Sequence, residues 1–297
     1  MAGPASAVQA RERAEQAAAA LPALLVAARR VAATVLQGVH GRRQAGPGET
    51  FWQFRRYQPG DAASLIDWRQ SAKSVPLYVR EQEWEASASV WLWRDASPSM
   101  DWRSPGIDQT KAARATLLLL ALAALLLRGG EQVALLGHGR RPLRGTASLE
   151  RLAQTLMHAP IGVAGLPGRD YLPRHAQVVM IGDFLDPVDD LHGAVNWLTG
   201  TGATGHLLQV LDPAEESLPF AGRVRFDGTE GEGSMLIGRV EAVRAAYRDR
   251  LAAQRAALAA LARSSGWTFL SHRTDRPPET ALLALYLALS GALGRKR

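Results

Sequence analysis

Cysteine is absent from this chain of 297 residues, which excludes disulfides, thiolate catalysis and zinc sites built on cysteine. Lysine is almost absent: it stands only at Lys73, Lys111 and Lys296, and the remaining basic residues are arginine. The formal net charge of +7 would suit an anionic partner. However, the arginines are scattered, no nucleic-acid-binding module appears, and alanine is abundant, so the charge reads as compositional bias and no nucleic acid is expected. Long apolar runs are also missing. The longest, Thr116 to Leu127, is bounded by Arg114 and Arg128 and falls short of the ~20 residues a bilayer requires. It reads as a buried core helix, and no membrane span is expected. Arg11, Glu12, Arg13 and Glu15 precede the first Ala/Leu helix, and their acidic members argue against a signal peptide.

Several enzyme signatures are missing as well. There is no Gly-x-Ser-x-Gly elbow for a serine hydrolase and no Gly-Lys-Ser/Thr phosphate loop. A haloacid-dehalogenase-type phosphatase needs an acid two residues after its nucleophilic aspartate, and after Asp95 that position is Ser97. Gly200 to Gly205 matches Gly-x-Gly-x-x-Gly, but it follows a helix and precedes a strand, the reverse of a dinucleotide-binding turn. It reads as a flexible connection. The seven histidines are dispersed without metal-ligand spacing.

What is present is a folded α/β chain, 47% hydrophobic and 21% charged. Residues 8–37 carry Leu21, Leu24, Leu25, Ala28, Val31 and Leu36 at helical spacing. From Ser87 the pattern alternates: strand 88–94, helix 106–128, strand 132–137, a short segment near 140–144, helix 148–158, strand 177–182, helix 188–198 and strand 206–211. An inserted hairpin over 213–238 follows, with arms Arg223 to Phe226 and Met235 to Ile237, then helix 240–263, strand 267–271 and helix 279–290. Apolar strands alternating with helices predict a doubly wound, mostly parallel sheet covered on both faces. The expected organisation is an N-terminal helix and aromatic, Arg-rich segment over 1–86, the α/β domain over 87–291, and a basic tail over 292–297.

Val90-Trp91-Leu92-Trp93-Arg94 ends in Asp95-Ala96-Ser97-Pro98-Ser99, which sets one carboxylate and two hydroxyls at alternate positions on a loop after a strand. Hard oxygens crowded this way suit Mg²⁺, which takes oxygen ligands and keeps several waters. Ligands in open α/β sheets bind at the carboxyl ends of strands, and Asp183, closing Met180-Ile181-Gly182, supplies a second carboxylate at such an end. A further hydroxyl is expected from Thr146 or Ser148. The plainer alternative makes these residues helix caps: Asp183 for the next helix, where Asp186 or Asp189 would serve equally well, and Ser148 for its own.

Asp95-x-Ser97-x-Ser99, a later hydroxyl at Thr146 and Asp183 resemble the metal-ion-dependent adhesion site of von Willebrand factor A-like domains. Upstream, Phe51, Arg55, Tyr57-Gln58-Pro59-Gly60-Asp61, Ile66-Asp67-Trp68, Ala72-Lys73 and Leu77 to Glu81 are similar to the signature of the bacterial domain-of-unknown-function family fifty-eight. Thr50 and Ser64 depart from its usual Glu and Arg. The resemblance implies an A-like fold over roughly residues 20 to 290. It also implies a role beside a MoxR-type AAA+ ATPase or a client it remodels, in chaperone-like maturation or metal insertion in the cytoplasm. On this reading Ser97, Ser99, Asp95, Asp183 and Thr146 hold Mg²⁺ for a partner's carboxylate, and the chain is not an enzyme. Arg55, Arg56 and Arg80 against Asp61, Asp67 and Glu81, with Tyr57, Pro59, Gly60 and Trp68, form either a structural latch or a docking surface. The competing readings are a metal-free scaffold of the same fold and a Mg²⁺-dependent hydrolase, the latter lacking a general base.

Overall fold

The computed structural model describes residues 4–40, 53–57, 66, 68–72, 77–81, 89–138, 141–159 and 166–294. The chain divides into two compact units, residues 1–38 with 88–297, and residues 39–87. The first helix, α1 (Pro4–His40), therefore groups with the α/β unit and not with the segment that follows it. In the smaller unit β1 (Gln53–Arg56) is followed by the single turn α2 (Trp68–Ser71) and by β2 (Tyr78–Glu81). The two strands pair antiparallel, with Phe54 opposite Arg80 and Arg55 opposite Val79. Ser71 ties the turn to the ribbon by accepting the Tyr78 backbone N–H at 2.9 Å.

The larger unit continues with β3 (Ser89–Arg94), α3 (Lys111–Arg128), β4 (Gln132–Leu135), α4 (Ser148–His158), β5 (Gln177–Gly182), α5 (Val188–Gly200) and β6 (Thr204–Leu211). It closes with α6 (Pro213–Ser217), the hairpin β7 (Val224–Asp227) and β8 (Ser234–Ile237), α7 (Val240–Ser264), β9 (Thr268–Arg273) and α8 (Pro278–Gly294). The five-stranded sheet runs β4-β3-β5-β6-β9 with every pairing parallel. The fold is α/β and doubly wound. The chain steps outward from β3 to β4, then crosses back to β5 on the other side. Strand order thus reverses at β3, and the crevice between the tips of β3 and β5 is the sheet's topological switch point.

Strand parity explains the two buried faces. Trp91, Trp93, Val178, Met180 and Leu207 share one face, in a core with Leu191, Val195 and Leu198 of α5 and Leu258 and Leu261 of α7. Val90, Leu92, Val179, Ile181 and Leu208 face the other way, on the side of α3 and α8. Residues Ala115 to Leu127 of α3 are all buried, as expected of a core helix. That helix starts at Lys111, later than the predicted 106, because the Thr110 hydroxyl accepts the Ala113 N–H and caps it there. Gly205, inside β6, lies beneath Trp267: a Cβ at this position would stand 2.3 Å from the indole, so only glycine fits.

One helix passes the length and composition test that the longest apolar run fails. Ala19–Gln37 of α1, 19 residues with a mean hydropathy of 1.6, is long and apolar enough to cross a membrane. The stretch is not an uninterrupted apolar run, because Arg29 and Arg30 stand within it. Within this window Leu25, Ala28, Val31, Ala32 and Val35 form a buried stripe at helical spacing, and Arg29 lies 3.9 Å from Glu150 of α4.

Candidate functional site

The loop leaving β3 is lashed to β5 by continuation of the ladder, the Asp95 N–H donating to Ile181 O at 2.8 Å. The Asp95 carboxylate turns back over its own loop and accepts the Ser97 N–H at 2.8 Å. A single 3₁₀ turn, Pro98–Asp101, then brings the Ser99 hydroxyl 2.9 Å from that of Ser97. Ser99 Oγ in turn donates to Asp183 Oδ2 at 2.8 Å, across the switch point. Asp183 is held by its backbone too, its carbonyl accepting from Gln209 Nε2 at 2.9 Å. The next residue, Phe184, adopts a left-handed conformation (φ +49°) and stacks on Trp93. That is a strained position for an aromatic residue, and it sits directly at the strand tip.

Two buried carboxylates at one crevice need compensation. Burial pushes the Asp95 carboxyl up to about 6, opposed by the Ser97 backbone bond and reinforced by the nearby Asp183 charge. Asp186, on the rim, is raised by burial and by Glu230 and Asp183. The compensation in place is one that sequence reasoning missed. Lys111, the first residue of α3, is fully buried, and its ammonium donates to Asp183 Oδ2 at 2.7 Å and to Glu215 Oε1. Burial alone would lower the Lys111 pKa, but the two carboxylates outweigh it and the net shift is upward. Glu215 belongs to the capping box of α6, where its other oxygen accepts the Asp212 N–H at 2.9 Å. Asp212 also accepts the Ser104 N–H at 2.9 Å, joining that helix to the loop after β3. The available signal was the rarity of lysine in an arginine-rich chain.

Thr146 is not part of this arrangement. Leu143 pairs antiparallel with Val133, which is in register with Val90 near the start of β3. The chain has therefore returned toward the N-terminal edge of the sheet before Thr146, whereas Asp95 lies five residues beyond Val90, roughly 16 Å along the strand. Thr146 is exposed, and its carbonyl accepts the Leu149 N–H. Ser148 bonds back to Arg144 O at 2.7 Å within the same turn. The hairpin loop contributes instead, with Glu230 Oε1 accepting the Ser99 N–H at 3.3 Å.

In the smaller unit, Tyr57 is half-buried and donates its N–H to Leu77 O at 2.8 Å, and Trp68 is 65% exposed. Arg55, Arg80 and Glu81 lie on the paired strands. Pro59, Gly60, Asp61 and Asp67 lie outside the described residues.

The donor set fits a small hard cation. Among the described residues no three His, Asp or Glu side chains converge as a metal cluster, so a cation at this tip must draw on the serine hydroxyls. Adjacent ligands of an octahedral Mg²⁺ at about 2.0–2.1 Å are about 2.9 Å apart. The Ser97–Ser99 and Ser99–Asp183 oxygen separations of 2.9 and 2.8 Å match such edges. They are equally good hydrogen bonds without the ion. Asp95, Asp183 and Glu215, with Asp186 and Glu230 on the rim, outnumber the Lys111 ammonium, a balance that favours a cation.

The family described as "Protein of unknown function DUF58" matches residues 53–257. Uncharacterized protein Rv1480 of Mycobacterium tuberculosis and uncharacterized protein Mb1516 of Mycobacterium bovis are each 30% identical over 279 residues, covering 87% of this chain and 85% of theirs. Among solved structures, the conserved hypothetical protein BatB from Bacteroides thetaiotaomicron aligns with a TM-score of 0.43 at 13% identity, over 70% of this chain and 99% of that one. An aerotolerance-related membrane protein from Bacteroides fragilis aligns with a TM-score of 0.42 at 13% identity, over 69% and 99%.

Proposed function

The chain belongs to the DUF58 family, and from that premise and the geometry above we propose that it is a non-enzymatic protein-interaction module of von Willebrand factor A type. Its docking point is a divalent-cation site at the switch point. Ser97 and Ser99 would hold Mg²⁺ directly, with Asp95 and Asp183 balancing its charge directly or through water. The ion would supply an open position for a partner's carboxylate, making attachment reversible by chelation. The single observation carrying this reading is the chain of oxygens from Ser97 through Ser99 to Asp183, spaced as cis ligands and set where doubly wound sheets bind.

The partner we propose, on the strength of the family signature, is a MoxR-type AAA+ ATPase or a client it remodels, in chaperone-like maturation or metal insertion. We place the chain in the cytoplasm with α1 packed on its own domain. Arg29 and Arg30 would each cost about 2.5–3.5 kcal/mol at a bilayer centre, and one face of the helix is already buried in the protein. Alkaline carbonate washing should leave the chain in the soluble fraction, and retention in the membrane pellet would overturn this placement.

The test of the docking site is capture of the purified ATPase of the same cell by the full chain. Capture in Mg²⁺ should be lost in EDTA and in Asp95→Ala. The second reading, a metal-free scaffold, is favoured by the Lys111 ammonium already seated on Asp183. It expects Asp95→Ala to lower stability while capture persists in EDTA.

A further inference from the structure

Lysine is rare in this chain, and among the described residues Lys111 is the one fully buried cation, placed where an ion-binding cleft would least need one. Its Nζ stands 2.7 Å from Asp183 Oδ2, the same oxygen that accepts from Ser99 Oγ at 2.8 Å. Its second anchor, Glu215, is fixed by the capping box of α6 and is not free to follow a moving ligand. A guanidinium would not substitute readily, because the compact ammonium of lysine places a point charge between two carboxylates on a flexible stem, whereas arginine presents a wide planar fork.

We propose that Lys111 is a built-in competitor for the cation site: its ammonium occupies the inner oxygen of Asp183 and keeps the divalent-ion affinity of the free protein low. This inference rests on the cation reading above and adds the residue that sets its strength. A charge of +1 held permanently beside the site repels a second cation and takes up one of its acceptor oxygens. The ion is then retained mainly when a partner contributes a further oxygen. The cleft is organised before anything binds, since Lys111, Ser99 and Gln209 already fix Asp183. Lys111 is a positioning residue: it acts on the ion through Asp183.

The test uses the full chain and Mn²⁺ or Mg²⁺ alone as probe, with affinity measured by calorimetry. Lys111→Met by itself would strand two buried carboxylates, so the informative variant is Lys111→Met with Glu215→Gln. This pair removes one positive and one negative charge and leaves the net charge of the cluster as it was. A glutamine can still accept the Asp212 N–H. The double variant should bind Mn²⁺ at least tenfold more tightly than wild type. Glu215→Gln alone, which leaves the ammonium free to engage Asp183 fully, should bind more weakly. A purely structural role for Lys111 predicts the opposite sign for the double variant, because a loosened cleft weakens binding. Equal or weaker binding by a folded double variant overturns the inference while leaving the cation site standing. If neither wild type nor any variant binds the ion, both the site and its competitor are overturned.

Discussion

Asp95 fills the space that a side chain at Gly182 would need: a Cβ added there would stand 2.9 Å from both the Cβ and Oδ2 of Asp95. Both residues lie at adjoining strand tips, where the Asp95 N–H donates to Ile181 O. Neither tip has room to yield, so Gly182→Ala should destabilise the fold by about 1–3 kcal/mol, as overpacking does, and displace Asp95 from its loop. Gly193, exposed in α5 with nothing within 4 Å of its would-be Cβ, is the matched control. Gly193→Ala should gain about 0.5–1 kcal/mol. Urea denaturation of the two variants checks both signs, and similar midpoints would refute the packing argument.

Removing the ammonium alone has a large expected cost. With Lys111→Ala, Asp183 and Glu215 remain at a buried crevice with no counter-charge. Breaking one side of a buried ion pair typically costs about 3–5 kcal/mol. Burial already raises the Glu215 pKa, opposed chiefly by Lys111, so the variant should titrate with Glu215 shifted further upward. Chemical denaturation at neutral pH checks the magnitude. A loss below about 1 kcal/mol would mean that water or another cation enters the crevice.

The two candidate hydroxyls at the edges of the sequence motif should behave oppositely. Ser99 bridges Ser97 and Asp183 and shares the switch point with them. Thr146 is exposed and follows Leu143, whose single antiparallel bridge to Val133 has already turned the chain back along β4. Ser99→Ala should weaken Mn²⁺ binding at least tenfold, and Thr146→Ala should leave it within about twofold, consistent with an oxygen ligand lost in one case and none in the other. Calorimetric titration of both variants decides it, and a matching loss in Thr146→Ala would reinstate that residue as a ligand.

The contrast between Ser99 and Thr146 also shows what could be read from residue order. Alternation of apolar strands and helices gave the parallel sheet, and the strand-to-loop transitions placed Asp95 and Asp183 at carboxyl ends. The reversal of strand order, which brings them together, follows from which strands pair and is set by packing far from the motif. Thr146 was misplaced because periodicity does not reveal that the chain doubles back at Leu143. Lys111 escaped notice for a similar reason. It opens an apolar helix, where a lysine normally faces water, and only the fold aims it at Asp183 and Glu215. Residues 58–65, with Pro59-Gly60-Asp61 of the signature, lie outside the described residues.

Acid should unfold this protein through its core histidines. His206 lies in β6 between Val179 and Thr268, on the sheet face that also carries Val90 and Leu92. Its Nδ1 pairs with the Thr268 hydroxyl at 2.7 Å, while its Nε2 is buried without a partner. Burial depresses its pKa to about 4, from 6.5. His272 is depressed to about 4 by burial and by the neighbouring Arg114 guanidinium. Well above pH 6.5 both rings are neutral whether the chain is folded or not, and neither makes stability depend on pH. Between 6.5 and 4 the unfolded chain takes up protons that the folded chain refuses, so stability falls as pH falls. The loss approaches about 3 kcal/mol per ring near pH 4, at 1.36 kcal/mol per unit. His206→Leu removes one of the two titrating groups. Its melting temperature should therefore drop markedly less than that of wild type between pH 7.5 and 4.5, even if it starts lower at pH 7.5. Thermal denaturation across that interval is the measurement, and parallel curves for the two proteins would show that carboxylate protonation elsewhere drives the acid transition.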